Sequence, residues 1–130
     1  MSYRKPMLII GPARSGKTSR ALDEAKKVEG VCLIASWENV STEAGLASCL
    51  KNNPTTVVVE GLSLPKTRKQ AFYLKRITGG DSLYLREKYA REGRIVKPPF
   101  FIFTLLTPPD HDLSEIIWRR FELLDLRKEI

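Results

Sequence analysis

Residues 11–18 of the sequence, GPARSGKT, have the spacing G-x-x-x-x-G-K-T, which is typical of a loop that binds phosphate groups. Its glycines permit a tight turn in which successive backbone N–H groups point inward at phosphate oxygens. Lys17 can reach the β- and γ-phosphates, and the hydroxyl of Thr18 can hold Mg²⁺. We therefore predict that ATP and Mg²⁺ bind here, through Gly11, Pro12, Ala13, Arg14, Ser15, Gly16, Lys17 and Thr18.

An acidic residue at the end of a second apolar run is a candidate partner for this loop. Glu60 follows Val57–Val59 and precedes a glycine. Enzymes with such loops hold Mg²⁺ and order water with an acid on a neighbouring strand. We predict that Glu60 is either the acid on the metal side or the base that orients water. The alternative is an ordinary solvated strand end.

The surrounding pattern predicts the elements that position these groups. Residues 7–10 form a short, continuously apolar run, typical of a buried strand, and a helix over 18–29 would direct its positive end at the phosphates. Further strands are expected over 31–36, 55–61, 100–106 and 121–126. Further helices are expected over 42–51, from a cap at Ser63 to residue 78, and over 113–118, with a hairpin over 82–98 that turns near Glu92 and Gly93.

Continuous apolar strands that alternate with helices favour a parallel sheet covered on both faces, so the predicted class is α/β. The chain has 130 residues, and we expect a single domain over 1–130. No apolar run approaches the roughly 20 residues that span a bilayer. The N-terminal residues do not form a signal-peptide pattern, so we expect a cytoplasmic protein without a membrane partner.

The net charge of +7 is concentrated in one quarter of the chain. Residues 66–97 contain ten basic side chains against three acidic ones and carry the whole excess, whereas the remainder is neutral. This concentration favours a polyanionic partner such as nucleic acid. A solvated face without a partner is the alternative that charge alone leaves open.

Three further stretches carry a resemblance to a known family. They are LKRITGGDSLYLREKY (74–89), KPPFFIFTLLTPP (97–109) and IIWRRFELLDL (116–126). Together with the phosphate loop and Glu60 they resemble the superfamily 3 helicases, in the phage and plasmid primase-helicase branch of the AAA+ ATPases, over residues 7–126. The resemblance implies a P-loop NTPase sheet of the AAA+ type, with the β-hairpin inserted before the strand called the sensor strand.

The resemblance also implies roles for basic residues. Arg86 and Lys88 would lie on the first strand of the hairpin, and its tip, from Arg91 to Arg94, would reach the central channel of a ring and grip single-stranded DNA. Such a ring, for example a hexamer, could require a partner or DNA to form. Arg119 or Arg120 would act as an arginine finger on the γ-phosphate of a neighbouring subunit, which makes both candidate catalytic residues beside Lys17 and Glu60.

One departure from the family pattern keeps other functions open. The sensor strand of the family ends in an Asn that orients the attacking water, and here that position falls on Leu105 or Leu106. The leading hypothesis is an ATPase that acts on DNA in the replication of a phage or mobile element. The alternatives are an ATP-binding assembly or loading module with little turnover, and a small P-loop kinase with Glu38 at its acceptor site.

Overall fold

A five-stranded parallel sheet organises the chain in the computed structural model, which describes residues 4–106 and 118–126. The elements follow the chain as β1 Met7–Ile10, α1 Lys17–Lys26, β2 Cys32–Ser36, α2 Trp37–Val40, α3 Glu43–Cys49, β3 Thr56–Glu60, α4 Arg68–Ile77, β4 Leu83–Leu85, β5 Arg94–Val96, β6 Phe100–Leu105, a 3-10 turn Trp118–Arg120, and β7 Glu122–Asp125. Within the described ranges no helix is long and apolar enough to cross a membrane.

The order of strands in the sheet is β2-β3-β6-β1-β7, and every pairing is parallel. Met7 of β1 pairs with Ile102 on one side and with Glu122 on the other. The late strand β6 therefore lies between β1 and β3, and it separates the strand before the phosphate loop from the strand that ends in Glu60. The carboxyl ends of all five strands meet at one edge, where ligands bind in open α/β sheets.

Two apolar clusters cover the two faces of the sheet. Helix α1 packs Ala21 and Ala25 on one face, against alternate residues of β1, β3 and β6. Helices α2, α3 and α4 cover the other face together with the hairpin, whose Leu83 and Leu85 enter the larger cluster. Since parallel strands covered on both faces must be apolar throughout, this arrangement explains the continuous apolar runs of β1, β3 and β6. The α/β class and the P-loop NTPase-like arrangement are confirmed.

Helix α4 begins later than the cap at Ser63 predicts. Its N-cap is Thr67, whose Oγ1 accepts from the backbone N–H of Gln70 at 3.1 Å. The side chain of Gln70 reaches back and accepts from the N–H of Lys66 at 2.7 Å. These two bonds form a variant of the T-x-x-Q capping box, in which Gln70 bonds the N–H of the residue before the N-cap, and they satisfy two backbone donors at the helix start. The T-x-x-Q pattern is present in the sequence and fixes the start of α4. Pro65 therefore lies before the helix and not in its first turn.

The hairpin is shorter than expected, with strands of three residues each. Leu83 pairs with Val96 and Leu85 with Arg94, so residues 86–93 form a loop that we call the hairpin loop. Arg86 and Lys88 therefore lie in the hairpin loop, whereas the resemblance implied that they lie on the first strand of the hairpin. The polar residues of the hairpin loop do not alternate with apolar ones. A longer strand here would therefore have no apolar side to bury.

Two smaller differences concern helices. Helix α1 ends at Lys26 rather than at residue 29, and Ser36 caps the short helix α2, which the pattern did not predict, by accepting from Asn39 N–H at 3.4 Å. The helix expected over 113–118 lies outside the described residues apart from its last position, which begins the 3-10 turn.

Candidate functional site

The phosphate loop connects the buried end of β1 to the first turn of α1. The N–H of Gly11 donates to the carbonyl of Leu105 on β6 at 3.2 Å, which anchors the start of the loop to the sheet. Arg14 and Gly16 both adopt the left-handed conformation, with φ of 62° and 87°. Gly16 is also the N-cap of α1, and no side chain caps the helix there. The first N–H groups of α1 therefore have no capping side chain at the N-cap, which is the arrangement that suits an anion at a helix start.

Lys17 lies across this loop. Its Nζ donates to the carbonyl of Pro12 at 2.8 Å, and partial burial lowers the pKa of the ammonium group below its ordinary value. Desolvation of a cation is unfavourable unless an anion is near, so a bound phosphate would stabilise the charged ammonium group. The position of Lys17 across the loop fits its predicted role.

An unsatisfied polar atom at the base of the loop tests whether a phosphate fits. The Oγ of Ser15 is buried and has no hydrogen-bond partner, a condition that it shares, in the ranges described, only with Thr56 Oγ1. A Cβ on Gly11 would lie 2.6 Å from this oxygen, so any larger residue at position 11 would force the Ser15 side chain to move. Since buried polar groups are nearly always paired, an oxygen-rich ligand is a fitting partner for the Ser15 hydroxyl.

The structure brings the loop and the acidic residue together. The hydroxyl of Thr18, in the first turn of α1, donates to Oε1 of Glu60 at 3.0 Å. One hydroxyl and one carboxylate are the hard oxygen ligands that Mg²⁺ takes when phosphate oxygens complete its coordination. The donor set at the mouth of the loop therefore fits the predicted Mg²⁺ through Thr18 and Glu60.

Strand β6 supplies a polar side chain next to Glu60. The Oγ1 of Thr104 accepts from the N–H of Gly61 at 3.2 Å, and the carbonyl of Thr104 accepts from Leu62 at 2.9 Å. Leu105, one position for the expected Asn, is buried in the core, and Leu106, the other, is 53% exposed. Neither leucine can orient water through its side chain. Thr104 thus fixes the backbone that follows Glu60, a contact that depends on strand order and that the sequence pattern did not reveal.

The two arginines of the 3-10 turn are exposed at the start of β7. Arg120 is directed toward its own chain, because a Cβ on Gly79 would lie 3.5 Å from its Nη1. Gly79 follows the C-terminal end of α4, whose carbonyls favour a nearby cation. Arg119 and Arg120 are adjacent in sequence but therefore have different surroundings, and an action on a neighbouring subunit stays a prediction for both.

The predicted nucleic-acid residues separate into two groups. Arg86, Lys88 and Arg91 are exposed in the hairpin loop. Arg94 lies on β5, where its guanidinium donates to the carbonyls of Ala47 at 3.1 Å and Lys51 at 3.5 Å, at the end of α3. Its charge is thus directed into a contact within the chain rather than toward the loop.

Exposed aromatic rings accompany the basic residues of the hairpin. The exposed fraction is 58% for Tyr84 on β4 and 92% for Tyr89 in the hairpin loop. These two tyrosines were not among the predicted nucleic-acid residues, although the run YLREKYAREGR interleaves aromatic and basic residues. That interleaving is a signal that could have identified them.

An open cleft of about 880 Å³ lies between α2, α4 and the segment after β3. Its lining residues include two aromatic rings, two lysines, an acid and the glycine that follows Glu60: Trp37, Tyr73, Lys66, Lys69, Glu38 and Gly61. The hydroxyl of Tyr73 donates to the carbonyl of Val40 at 2.5 Å, and burial raises the pKa of this phenol well above its ordinary value. The cleft is therefore held by contacts between α2 and α4.

Comparison with known proteins supports the fold and leaves the chemistry open. No protein-family model matches the sequence, and no curated protein sequence matches it. Among solved structures, the chain is similar to JCV helicase, in a crystal structure with a bound acetamide compound. The TM-score is 0.58 at 20% identity, and the match covers 96% of this chain but only 38% of that helicase chain. The likeness therefore concerns a helicase-like fold.

Proposed function

We propose that this chain is an ATPase that acts on nucleic acid and resembles the superfamily 3 replicative helicases of phages and mobile elements. The observation that carries the proposal is the 3.0 Å hydrogen bond between Thr18 and Glu60 at the mouth of the phosphate loop. The helicase-like fold supports it, because it unites a strand, a phosphate loop, a helix and a second strand that ends in an acid.

The loop residues bind the nucleotide in this proposal. The N–H groups at the start of α1 and the ammonium of Lys17 hold the phosphates, and the buried hydroxyl of Ser15 gains a partner. Mg²⁺, when bound, neutralises charge on the phosphoryl group that is transferred. Glu60 either contacts the metal side or accepts a proton from the attacking water, and Thr104 fixes the backbone after it through Gly61.

Assembly completes the site in the proposal. The chain forms a ring in which Arg119 or Arg120 contacts the γ-phosphate bound by a neighbouring copy. An arginine supplied in this way is worth on the order of 10³ to 10⁵ in rate. Because Arg120 lies near Gly79 of its own chain, Arg119 is the better candidate finger of the two. Hydrolysis would then rise with protein concentration.

The nucleic-acid partner follows from charge. The excess of +7 lies within residues 66–97, and three exposed cations of that segment, Arg86, Lys88 and Arg91, share the hairpin loop. A backbone of phosphates is the polyanion that fits an exposed basic segment. The structural similarity to JCV helicase, at 20% sequence identity, supports the same class of partner.

The test measures ATP hydrolysis per subunit with and without single-stranded DNA, over a range of protein concentrations. We expect the wild-type rate to rise with DNA and with protein concentration. We expect that rate to be abolished in Lys17→Ala and in the double variant Arg119→Ala/Arg120→Ala. Lys26→Ala, which removes an exposed lysine from the last turn of α1, is the matched control and should retain the rate. Absence of ATP binding by the wild-type protein in calorimetry would overturn the proposal.

A specific observation favours each of two other candidates. Leu105 and Leu106 at the sensor position favour an ATP-binding assembly module, which would bind ATP tightly yet show no turnover in the same assay. The cleft beside Gly61, lined by Glu38 and two lysines, favours a small P-loop kinase with Arg119 and Arg120 as lid residues. Transfer of the γ-phosphoryl group from labelled ATP to a small acceptor, rather than to water, would identify the kinase.

A further inference from the structure

Tyr89 is almost entirely exposed in the hairpin loop. Its side chain is 92% accessible, and its φ is 67°, in the left-handed region that residues other than glycine and asparagine rarely adopt. A bulky residue in this region costs free energy, and such positions are concentrated at ligand-binding sites. Burial does not explain a tyrosine here, because its ring is not packed in the core.

Tyr84 offers a second ring that is exposed and held in place. Its hydroxyl accepts from the N–H of Gly93 at 3.0 Å, and a Cβ on Gly93 would lie only 2.6 Å from the ring carbon Cζ. Nη2 of Arg76 on α4 donates to the carbonyl of Tyr84 at 2.8 Å. Ile95, its cross-strand partner, is 76% exposed on the same face of the hairpin. The ring therefore has a fixed position before any ligand binds.

Cations lie among these rings. The Nζ of Lys88 is 5.2 Å from the centre of the Tyr89 ring, and Arg86 and Arg91 are exposed in the same loop. Surfaces that combine a positive charge with exposed aromatic side chains bind single-stranded nucleic acid, because the cations contact phosphates while the rings stack on unpaired bases. A duplex does not offer this second contact, since its bases are already stacked on one another. An acidic protein partner would match the charge but would leave the rings without a stacking partner.

We propose that Tyr89, supported by Tyr84, is a base-stacking surface that makes the hairpin selective for single-stranded nucleic acid. The inference rests on the proposed function for its class of partner and adds the residues that contact bases rather than phosphates. The strained backbone at Tyr89 holds its ring away from the core, and Lys88, beside the ring, contacts a phosphate of the bound strand.

The test measures binding of fluorescent oligonucleotides by anisotropy, with single-stranded DNA, single-stranded RNA, duplex DNA and a single strand that lacks bases. We expect Tyr89→Ala to weaken binding of the single strands by about 5- to 150-fold, the range for loss of one stacked base. Tyr89→Phe and Tyr89→Trp should bind like the wild type. The strand without bases should bind wild type and Tyr89→Ala equally, because it offers nothing to stack.

Salt dependence separates stacking from charge. Tyr89→Ala should leave the slope of log K against log salt unchanged. Arg91→Ala should instead reduce that slope by about 0.7 for each phosphate of the single strand that the arginine neutralises in the wild type. Thermal unfolding of each variant verifies that the exposed substitution has not altered stability.

The outcomes distinguish the two proposals. If the wild type binds single strands and Tyr89→Ala binds them equally well, stacking is wrong and the nucleic-acid function stands. If Tyr89→Ala weakens binding to the strand without bases by the same factor, the stacking inference is also wrong. If the wild type binds no oligonucleotide, the nucleic-acid partner is wrong and the stacking surface falls with it.

Discussion

The hydroxyl oxygen of Thr18 lies 3.0 Å from a carboxylate oxygen of Glu60, although 42 positions separate the two residues. The hydroxyl comes from the first turn of α1, which follows β1, and the carboxylate comes from the carboxyl end of β3. In the sheet, β6 lies between these two strands. The pair therefore joins the phosphate loop to the acid that the proposed hydrolysis requires, and it makes the role of each residue testable.

Glu60→Gln should retain ATP binding and lose hydrolysis. The amide oxygen can still accept from Thr18, but it can neither take a proton from water nor provide a negative charge for Mg²⁺. Loss of a general base lowers turnover by about 10²- to 10⁴-fold. If Glu60 acts instead on the metal side, excess Mg²⁺ should restore part of the rate. Asp23→Asn, at an exposed acid of α1, is the control, and unchanged turnover in Glu60→Gln would refute a catalytic role.

Substitution of Thr18 should alter the requirement for Mg²⁺. Thr18→Ser retains the hydroxyl, whereas Thr18→Val preserves the shape and removes the oxygen that bonds Glu60. We expect Thr18→Val to raise the Mg²⁺ concentration for half-maximal nucleotide binding by roughly tenfold or more, since even outer-shell partners of a metal are worth about 10- to 100-fold. Titration of Mg²⁺ against a fluorescent ATP analogue measures this. Equal titrations for the serine and valine variants would exclude Thr18 as a ligand.

Arg94→Ala should affect stability more than nucleic-acid binding. The substitution removes a charged donor from the carbonyls of Ala47 and Lys51 at the end of α3. Hydrogen bonds to charged groups contribute about 1.5–3 kcal/mol, and we expect about 1–2 kcal/mol here because Arg94 is only partly buried. Urea unfolding gives the stability. In the anisotropy assay Arg91→Ala, in the exposed loop, should show the larger loss of affinity, and the reverse order would contradict the contact with α3.

We expect the free energy of unfolding to fall at alkaline pH because of the partly buried phenol of Tyr73. Burial raises the pKa of its phenol above the ordinary value of 10.0. The unfolded chain therefore loses this proton first as the pH rises, and the folded state binds more protons above pH 10.0. The contribution of this phenol to the free energy of unfolding is fully present below pH 10.0. It is lost as the pH rises toward the raised pKa of the folded state.

Urea unfolding of wild type and Tyr73→Phe between about pH 8 and pH 11 tests this linkage. The wild type should lose free energy of unfolding as the pH rises, and the phenylalanine variant should lose less. The variant should also be less stable near neutral pH by about 1 kcal/mol, because Val40 loses a hydrogen-bond donor. Parallel pH profiles for the two proteins would show that Tyr73 is not protected from ionisation.

The capping box predicts a local effect at α4. Thr67→Ala removes the oxygen that accepts from Gln70, and an N-cap substitution of this kind costs about 1 kcal/mol. Ser63→Ala is the matched control, since Ser63 does not cap the helix, and it should cost less. Chemical unfolding of both variants measures the difference, and a larger loss at Ser63 would place the helix start there.

Local patterns in the sequence were sufficient for the elements that form the sheet. The apolar runs of β1, β3 and β6 are continuous because both sheet faces are covered, and the observed bounds agree with the predictions to within a residue. The phosphate loop was equally predictable, since its turn requires glycine at fixed positions. The start of α4 is also encoded locally, in the T-x-x-Q pattern, although Ser63 and Pro65 offered a competing signal.

Tertiary structure decided which of these elements meet. Strand β6 enters between β1 and β3 only in the folded sheet, and that insertion brings Thr104 to Gly61. The guanidinium of Arg94 bonds carbonyls more than forty positions away, so its separation from Arg91 has no signature in the hairpin sequence. Residue type and spacing determined the chemistry that each segment can offer, because turns and burial are local. Packing across the sheet determined the partners, because contacts between distant segments depend on strand order.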